Sequence, residues 1–185
     1  MISVEFNEVH MDFQTLPTLF SPHALDAGTR AMLSCVQFSQ ADKVLDLGCG
    51  YGFVGIYAAK VIGGQSVTMV DIDEAAVNIA RENARLNGVP SIQVFRSDGF
   101  RNLDDAGYTL ILSNPPYHTD FSVAKHFIEK GFNRLLLGGK MVMVTKRKDW
   151  YKNKLISIFG GMSIKEIDGY FVFTAEKRLA SYAKK

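Results

Sequence analysis

The sequence predicts an α/β fold: a doubly wound, mostly parallel seven-stranded sheet with an antiparallel C-terminal hairpin at one edge. Three observations carry this. From residue 43 onward, short segments rich in Val, Ile and Leu alternate with longer ones whose apolar residues recur at helical spacing. The short segments are almost continuously apolar, as strands covered on both faces must be. The chain then closes on two strand-like runs around Asp168–Gly169, a dipeptide suited to a tight hairpin turn.

Residues 1–40 read as a lead-in packed on the core, with a turn in "LPTLFSPH" and a helix around 25–38. Residues 41–185 form the main body of what reads as one domain. "KVLDLGC" is its first strand and "FVGIYAAKVI" its first helix. "SVTMVDI" is a strand, followed by the helix "DEAAVNIARENARLNG". Acidic residues open that helix, where its dipole is positive. Asp73 suits the N-cap, and Asn87–Gly88 a C-terminal stop. "SIQVFRSD" and "YTLILSN" are strands. "SVAKHFIEKGFNRLLL" is a helix expected to stop at Gly138–Gly139. "KMVMVTKR" is a strand, "WYKNKLISIF" a helix, and "SIKEIDGYFVFTAEK" the closing hairpin. Alternation of this kind places helices on both faces of a parallel sheet.

Composition narrows the function classes. No apolar run approaches the roughly 20 residues needed to span a bilayer, so no membrane role is expected. "MISVEFNEVHMDF" carries acids and no apolar block, unlike a secretory signal. Cys35 and Cys49 are the two cysteines, too few for a disulfide framework, and a reduced cytoplasmic setting is expected. Histidines and cysteines lack metal-ligand spacing, so no metal is expected. Charge is uneven. Residues 1–110 hold 7 Lys and Arg against 13 Asp and Glu, and residues 111–185 hold 14 against 6, within a net charge of +2. A basic second half raises the local concentration of an anionic partner.

Ligands of such sheets sit at the carboxyl ends of the strands. The first strand ends in "DLGCGYGFVG", where Gly50, Gly52 and Gly55 match G-x-G-x-x-G. The pattern admits a dinucleotide, with its pyrophosphate at the helix N-terminus. It also admits S-adenosylmethionine, which carries no phosphate. Asp46 would repel a pyrophosphate but attract an ammonium group, which favours the second ligand. Asp71, 25 residues later at the end of the second strand, suits ribose hydroxyls. Asp98 ends the third strand, placed to accept from an adenine amine, with Gly99 allowing close backbone approach.

The fourth strand ends in Asn114-Pro115-Pro116-Tyr117. A planar amine, as on a nucleobase or a carboxamide, is a poor nucleophile because its lone pair is delocalised. Two acceptors for its two hydrogens, the Asn114 side-chain oxygen and the Pro115 carbonyl, would localise that pair and aim it. Proline fixes φ, and Pro116 holds Pro115 extended. Tyr117 offers a face on which a base can stack. Most of the rate would then come from positioning.

Together "VLDLGCGYG", "VDID", "SDGF" and "SNPPYH" resemble the motif series of class I S-adenosylmethionine-dependent methyltransferases. With the lead-in "FSPHALDAGTR" they are most similar to the "methyltransferase small" family, which includes ribosomal RNA guanine-N2 methyltransferases. The resemblance spans about residues 20–176. It implies that Asp46, Gly48, Cys49, Gly50 and Gly52 line the methionine and ribose side. It implies that Asp71 takes the ribose hydroxyls, Ile72 packs on adenine, and Asp98 and Gly99 hold the adenine edge. Asn114, Pro115, Pro116 and Tyr117 hold the target amine, with Asn114 also bordering the cofactor. Thr29 is expected to touch the methionine end or the substrate.

The expected activity is methyl transfer to an exocyclic amine of RNA, guanine N2 of ribosomal RNA. Adenine N6 and a protein glutamine amide are alternatives that the same turn would serve. A dinucleotide-dependent oxidoreductase leaves Asn114–Tyr117 and Asp98 without a role, and a non-catalytic assembly factor leaves the whole cofactor series without one. Lys146, Arg147 and Lys148 are the expected phosphate contacts. His118 is expected to be an exposed histidine at a helix start, the alternative being a contact to substrate phosphate. Trp150 and Tyr151 are expected to anchor a helix to the sheet, the alternative being an aromatic–basic nucleic-acid surface. The protein is expected to act as a monomer or homodimer.

Overall fold

The computed structural model describes residues 1–19, 23–116 and 120–183. It opens with an antiparallel hairpin, β1 (Ile2–Phe6) and β2 (Val9–Phe13). Asn7 and Glu8 make the turn with φ of 46° and 64°, the left-handed pair that a two-residue hairpin turn requires. Helix α1 (Ala27–Ser34) follows, shorter at both ends than the predicted 25–38. Asp26 begins it by accepting a hydrogen bond from the Thr29 N–H at 2.7 Å.

The main sheet contains β3 (Val44–Leu47), β4 (Val67–Asp71), β5 (Gln93–Arg96), β6 (Tyr108–Ser113), β7 (Leu135–Thr145), β8 (Ser163–Ile167) and β9 (Tyr170–Glu176). Its spatial order is β5-β4-β3-β6-β7-β9-β8. β3 to β7 run parallel, and β9 and β8 complete the edge as antiparallel strands. This is the predicted doubly wound seven-stranded sheet. Its order reverses between β3 and β6, which opens a crevice at their carboxyl ends.

Helices α2 (Phe53–Ile62) and α3 (Glu74–Leu86) join α1 and the N-terminal hairpin over one face. Helices α4 (Ser122–Arg134) and α5 (Lys148–Phe159) cover the other. The strands feed both layers by simple alternation. Val44, Met69 and Leu112 face the first core; Leu45, Val70 and Ile111 face the second. Continuous apolar strands are therefore obligatory. Among the described residues, no helix is long and apolar enough to cross a membrane.

The predicted helix over residues 122–137 stops at Arg134. Leu135–Leu137 instead begin β7. Leu135 pairs with Tyr108, and the register shifts before Lys140 pairs with Leu110. Sheet pairing thus overrides the good helix propensity of leucine at this position. Helix α5 starts two residues before Trp150, at Lys148.

Two asparagines on α3 fasten the lead-in to the body. Asn83 accepts from the Gln14 N–H at 2.8 Å and donates to the Gln14 and Tyr51 carbonyls. Asn87 accepts from the Asp12 N–H and donates to the Asp12 carbonyl, one helical turn on. Each amide acts as a short piece of sheet edge for the chain leaving β2. Replacing the fully buried Asn83 with alanine leaves the Tyr51 carbonyl without this donor. Urea unfolding is expected to register a loss of about 1–3 kcal/mol.

Candidate active site

A cleft of about 390 Å³ lies at the carboxyl ends of β3, β4 and β6. Of the residues singled out in the sequence, Thr29, Asp46, Gly48, Cys49, Gly50, Asp71, Ile72, Asp98, Gly99, Asn114, Pro115 and Pro116 line it. Gly52 lies behind the loop, at the N-cap of α2. Tyr117 and His118 lie outside the described residues.

The glycine loop turns sharply out of β3. Gly48, Gly50 and Gly52 have φ of 76°, 55° and 96°, a run that side chains with a Cβ rarely adopt. The Gly48 and Cys49 N–H groups both donate to the Val70 carbonyl at 2.9 Å, tying the loop to β4. Asp71 holds it from the other side: its Oδ2 accepts from the Gly50 N–H at 2.8 Å and its Oδ1 from the Asp73 N–H at 3.0 Å. Asp71 is therefore a structural brace for the loop as well as an acceptor facing the cleft. Asp73 caps α3 through the Ala75 N–H, as its position in the sequence suggested.

Asp46 is 3% exposed, and its Oδ2 accepts from the Gly55 N–H at 2.8 Å. Burial pushes its carboxyl up to about 7, with the Gly55 N–H opposing the shift and the neighbouring Asp71 charge adding to it. An acid in this state is half-ionised near neutrality and gains strongly from a cation. A phosphate here would meet two carboxylates. Two neighbouring acids, Asp46 and Asp71, therefore favour a cationic group here and oppose a phosphate. Cys49 is buried, and its thiol is held far above the usual range by burial first and then by Asp46 and Asp71. It lines the cleft as a neutral group and is no nucleophile.

Ile72 is 57% exposed at the end of β4, an apolar surface able to cover a flat ring. Asp98, just past the end of the neighbouring β5, pairs with Arg101. The turn after it is set by His126, whose Nε2 accepts from the Phe100 N–H at 3.2 Å. Burial, then the Arg101 charge, lowers the His126 pKa, which keeps that acceptor available at neutral pH.

Asn114 is half-buried at the end of β6 and Pro115 is buried behind it. The Ser113 hydroxyl donates to the Leu47 carbonyl at 2.8 Å, locking the ends of β6 and β3 together. The Asn114 Nδ2 donates to Asp26 Oδ2 at 2.8 Å and to Thr29 Oγ1 at 3.1 Å. No hydrogen bond among the described residues occupies its Oδ1. Thr29, expected to touch the methionine end or the substrate, lines the cleft and also meets Asn114. Asp26 was missed in the sequence, although "LDAGT" announces a helix cap. Nothing in a one-dimensional pattern links it to a residue 88 positions away.

The basic triplet leaves β7 on the same side of the sheet. Lys146, Arg147 and Lys148 are exposed, and each cation lies over a ring, at 4.9 Å from Tyr170, 5.0 Å from Phe121 and 5.4 Å from Phe171. The Trp150–Tyr151 pair divides its work. Tyr151 is buried against Phe173, whereas half-buried Trp150 stacks on Phe121 at 4.4 Å and 12°. Both cysteines are free thiols. Among the described residues, no group of three acid, histidine or cysteine side chains could hold a metal.

Three comparisons bear on this site. The sequence model of the methyltransferase small domain family matches residues 10–174. The chain is 30% identical to the uncharacterized protein YbxB of Bacillus subtilis over 86% of its own length and 82% of that protein. It is 35% identical to ribosomal RNA small subunit methyltransferase C of Haemophilus ducreyi, over 81% of this chain and 47% of that one. Among solved structures it resembles the T. thermophilus 16S rRNA N2 methyltransferase RsmC, in complex with AdoMet and guanosine. That match has a TM-score of 0.84 and 27% identity, covering 96% of this chain and 50% of the other. The chain spans about half the length of these two methyltransferases.

Proposed function

The chain belongs to the methyltransferase small domain family, and from that premise we propose that it methylates an exocyclic amine of ribosomal RNA, guanine N2, using S-adenosylmethionine. When bound, S-adenosylmethionine supplies an electrophilic methyl group. Asp46 would hold its ammonium group, Asp71 the ribose hydroxyls, and Ile72, Asp98 and Gly99 the adenine.

One observation carries the substrate reading. Asn114 has its NH₂ committed to Asp26 and Thr29, so it presents an acceptor and no donor to the cleft. A substrate that donates N–H, as an exocyclic amine does, fits this arrangement. A carbonyl or phosphate oxygen does not. With the Pro115 carbonyl as second acceptor, both amine hydrogens would be engaged and the lone pair left to point at the methyl group. No strong base is needed, because the surplus proton leaves after transfer. Rate comes from holding the reactants in line.

Lys146, Arg147 and Lys148 are the proposed phosphate contacts. Replacing all three with alanine is expected to weaken RNA binding and to reduce the slope of log affinity against log salt by about 2–3. Fluorescence anisotropy across a salt series measures it. The substrate assignment itself is tested by digesting ribosomal RNA to nucleosides, from cells with and without the protein. A drop in N2-methylguanosine content in the RNA from cells without the protein supports it. Loss of N6-methyladenosine instead would move the activity to another amine.

A further inference from the structure

We infer that Asp26 is a positioning residue for methyl transfer, setting which end of the Asn114 amide faces the substrate. The inference rests on the reading of Asn114 as the amine acceptor.

An asparagine amide is nearly symmetric in shape, and its two ends differ by donor against acceptor. Turned the wrong way, Asn114 would offer N–H groups to a substrate that also offers N–H groups. Its orientation is therefore decisive and needs a neighbour that can tell the ends apart. Asp26 Oδ2 does so: an oxygen already accepting from the Thr29 N–H at 2.7 Å accepts again from Asn114 at 2.8 Å. A carboxylate has no hydrogen to give, so the reversed amide would set oxygen against oxygen. Thr29 Oγ1 takes a second bond from the same NH₂ at 3.1 Å, fixing the plane of the amide.

The carboxylate is itself held in place. It caps α1, so its position follows the helix. Gly28 sits so close that a Cβ there would lie 2.8 Å from Tyr170 and 3.0 Å from Asp26 Oδ2. The Tyr170 ring therefore packs directly on the backbone beside the carboxylate. Burial first and then the Asp26 charge raise the Tyr51 hydroxyl to about 12, and both residues line the cleft. The lead-in segment thereby contributes to chemistry performed at the end of β6.

The test separates capping from positioning. Asp26→Ser keeps a good N-cap, but its shorter side chain does not reach Asn114. Asp26→Asn keeps an oxygen of the right reach. With the amine substrate of the wild-type protein, Asp26→Ser is expected to lower kcat about 10- to 100-fold. Cofactor affinity and thermal midpoint should stay near wild type, and Asp26→Asn should recover most of the rate. In an Asn114→Ala background the Asp26→Ser change should cost nothing more. A second readout needs no substrate. In ¹⁵N-resolved NMR spectra the Asn114 side-chain NH₂ pair should shift in Asp26→Ser and stay in place in Asp26→Asn.

Full activity with an unshifted NH₂ pair in Asp26→Ser would overturn the inference, and so would losses that add in the double variant. If the wild-type protein methylates no RNA, the substrate proposal fails, and the NMR comparison still decides the role of Asp26.

Discussion

Asn114→Ala is expected to reduce methyl transfer about 10²- to 10³-fold while leaving cofactor affinity within about twofold. In the proposed reaction the asparagine oxygen is one of two acceptors that shape the target amine, and its removal would leave a planar nitrogen with a delocalised, unaimed lone pair. The loss should fall on kcat, since the interaction strengthens as the nitrogen acquires charge. The amide is half-buried and its lost partners, Asp26 and Thr29, sit at the water-accessible cleft, so folding should survive. Single-turnover transfer with labelled cofactor, beside calorimetric titration of cofactor, separates the two effects. A variant that loses both equally would place Asn114 in cofactor binding alone.

The second large effect concerns Asp46. Asp46→Asn keeps an oxygen for the Gly55 N–H but removes the charge, and S-adenosylmethionine affinity is expected to fall about 10- to 100-fold, as for other charge-assisted bonds. Its pH dependence has a definite sign. The carboxyl is raised to about 7 in the folded protein. Ionising it therefore costs folding stability as pH climbs from the ordinary carboxylate range through about 7. A cationic ligand prefers the ionised form. Affinity should hence level off above pH 7 and weaken below it, by up to about tenfold per pH unit. Asp46→Asn should flatten that profile and, at pH 8, raise the melting temperature. Calorimetry from pH 5.5 to 8.5 checks the first, and thermal unfolding the second. An unchanged profile in the variant would assign the proton to another group.

Much of this was legible in the sequence, for physical reasons. Parallel strands buried on both faces must be continuously apolar, so "KVLDL", "VTMV" and "YTLIL" reveal themselves. Acids and glycines at strand ends mark the ligand face because backbone turns and ligand donors gather there. The N-terminal hairpin was missed although Ile2, Val4 and Phe6 alternate as a strand should. Its turn is Asn7–Glu8, and glutamate rather than glycine at a left-handed position hides the signal. Leu135–Leu137 misled because leucine favours helices and only the pairing of Leu135 with Tyr108 decides otherwise. The cleft-lining positions of the glycine loop and of "NPP" could be anticipated by motif. Asp26 and the bracing role of Asp71 could not, because both depend on hydrogen bonds across the fold, to Asn114 and to Gly50.

The central claim is that the acceptor end of Asn114 takes an amine of ribosomal RNA. Its most direct test is transfer of labelled methyl from S-adenosylmethionine to ribosomal RNA from cells lacking the protein. Free RNA and assembled particles are assayed in parallel, and the labelled nucleoside is then identified. Label in N2-methylguanosine with the wild-type protein, and its loss with Asn114→Ala, is the predicted result. Cofactor binding without label in any RNA, or label appearing in protein, would contradict it.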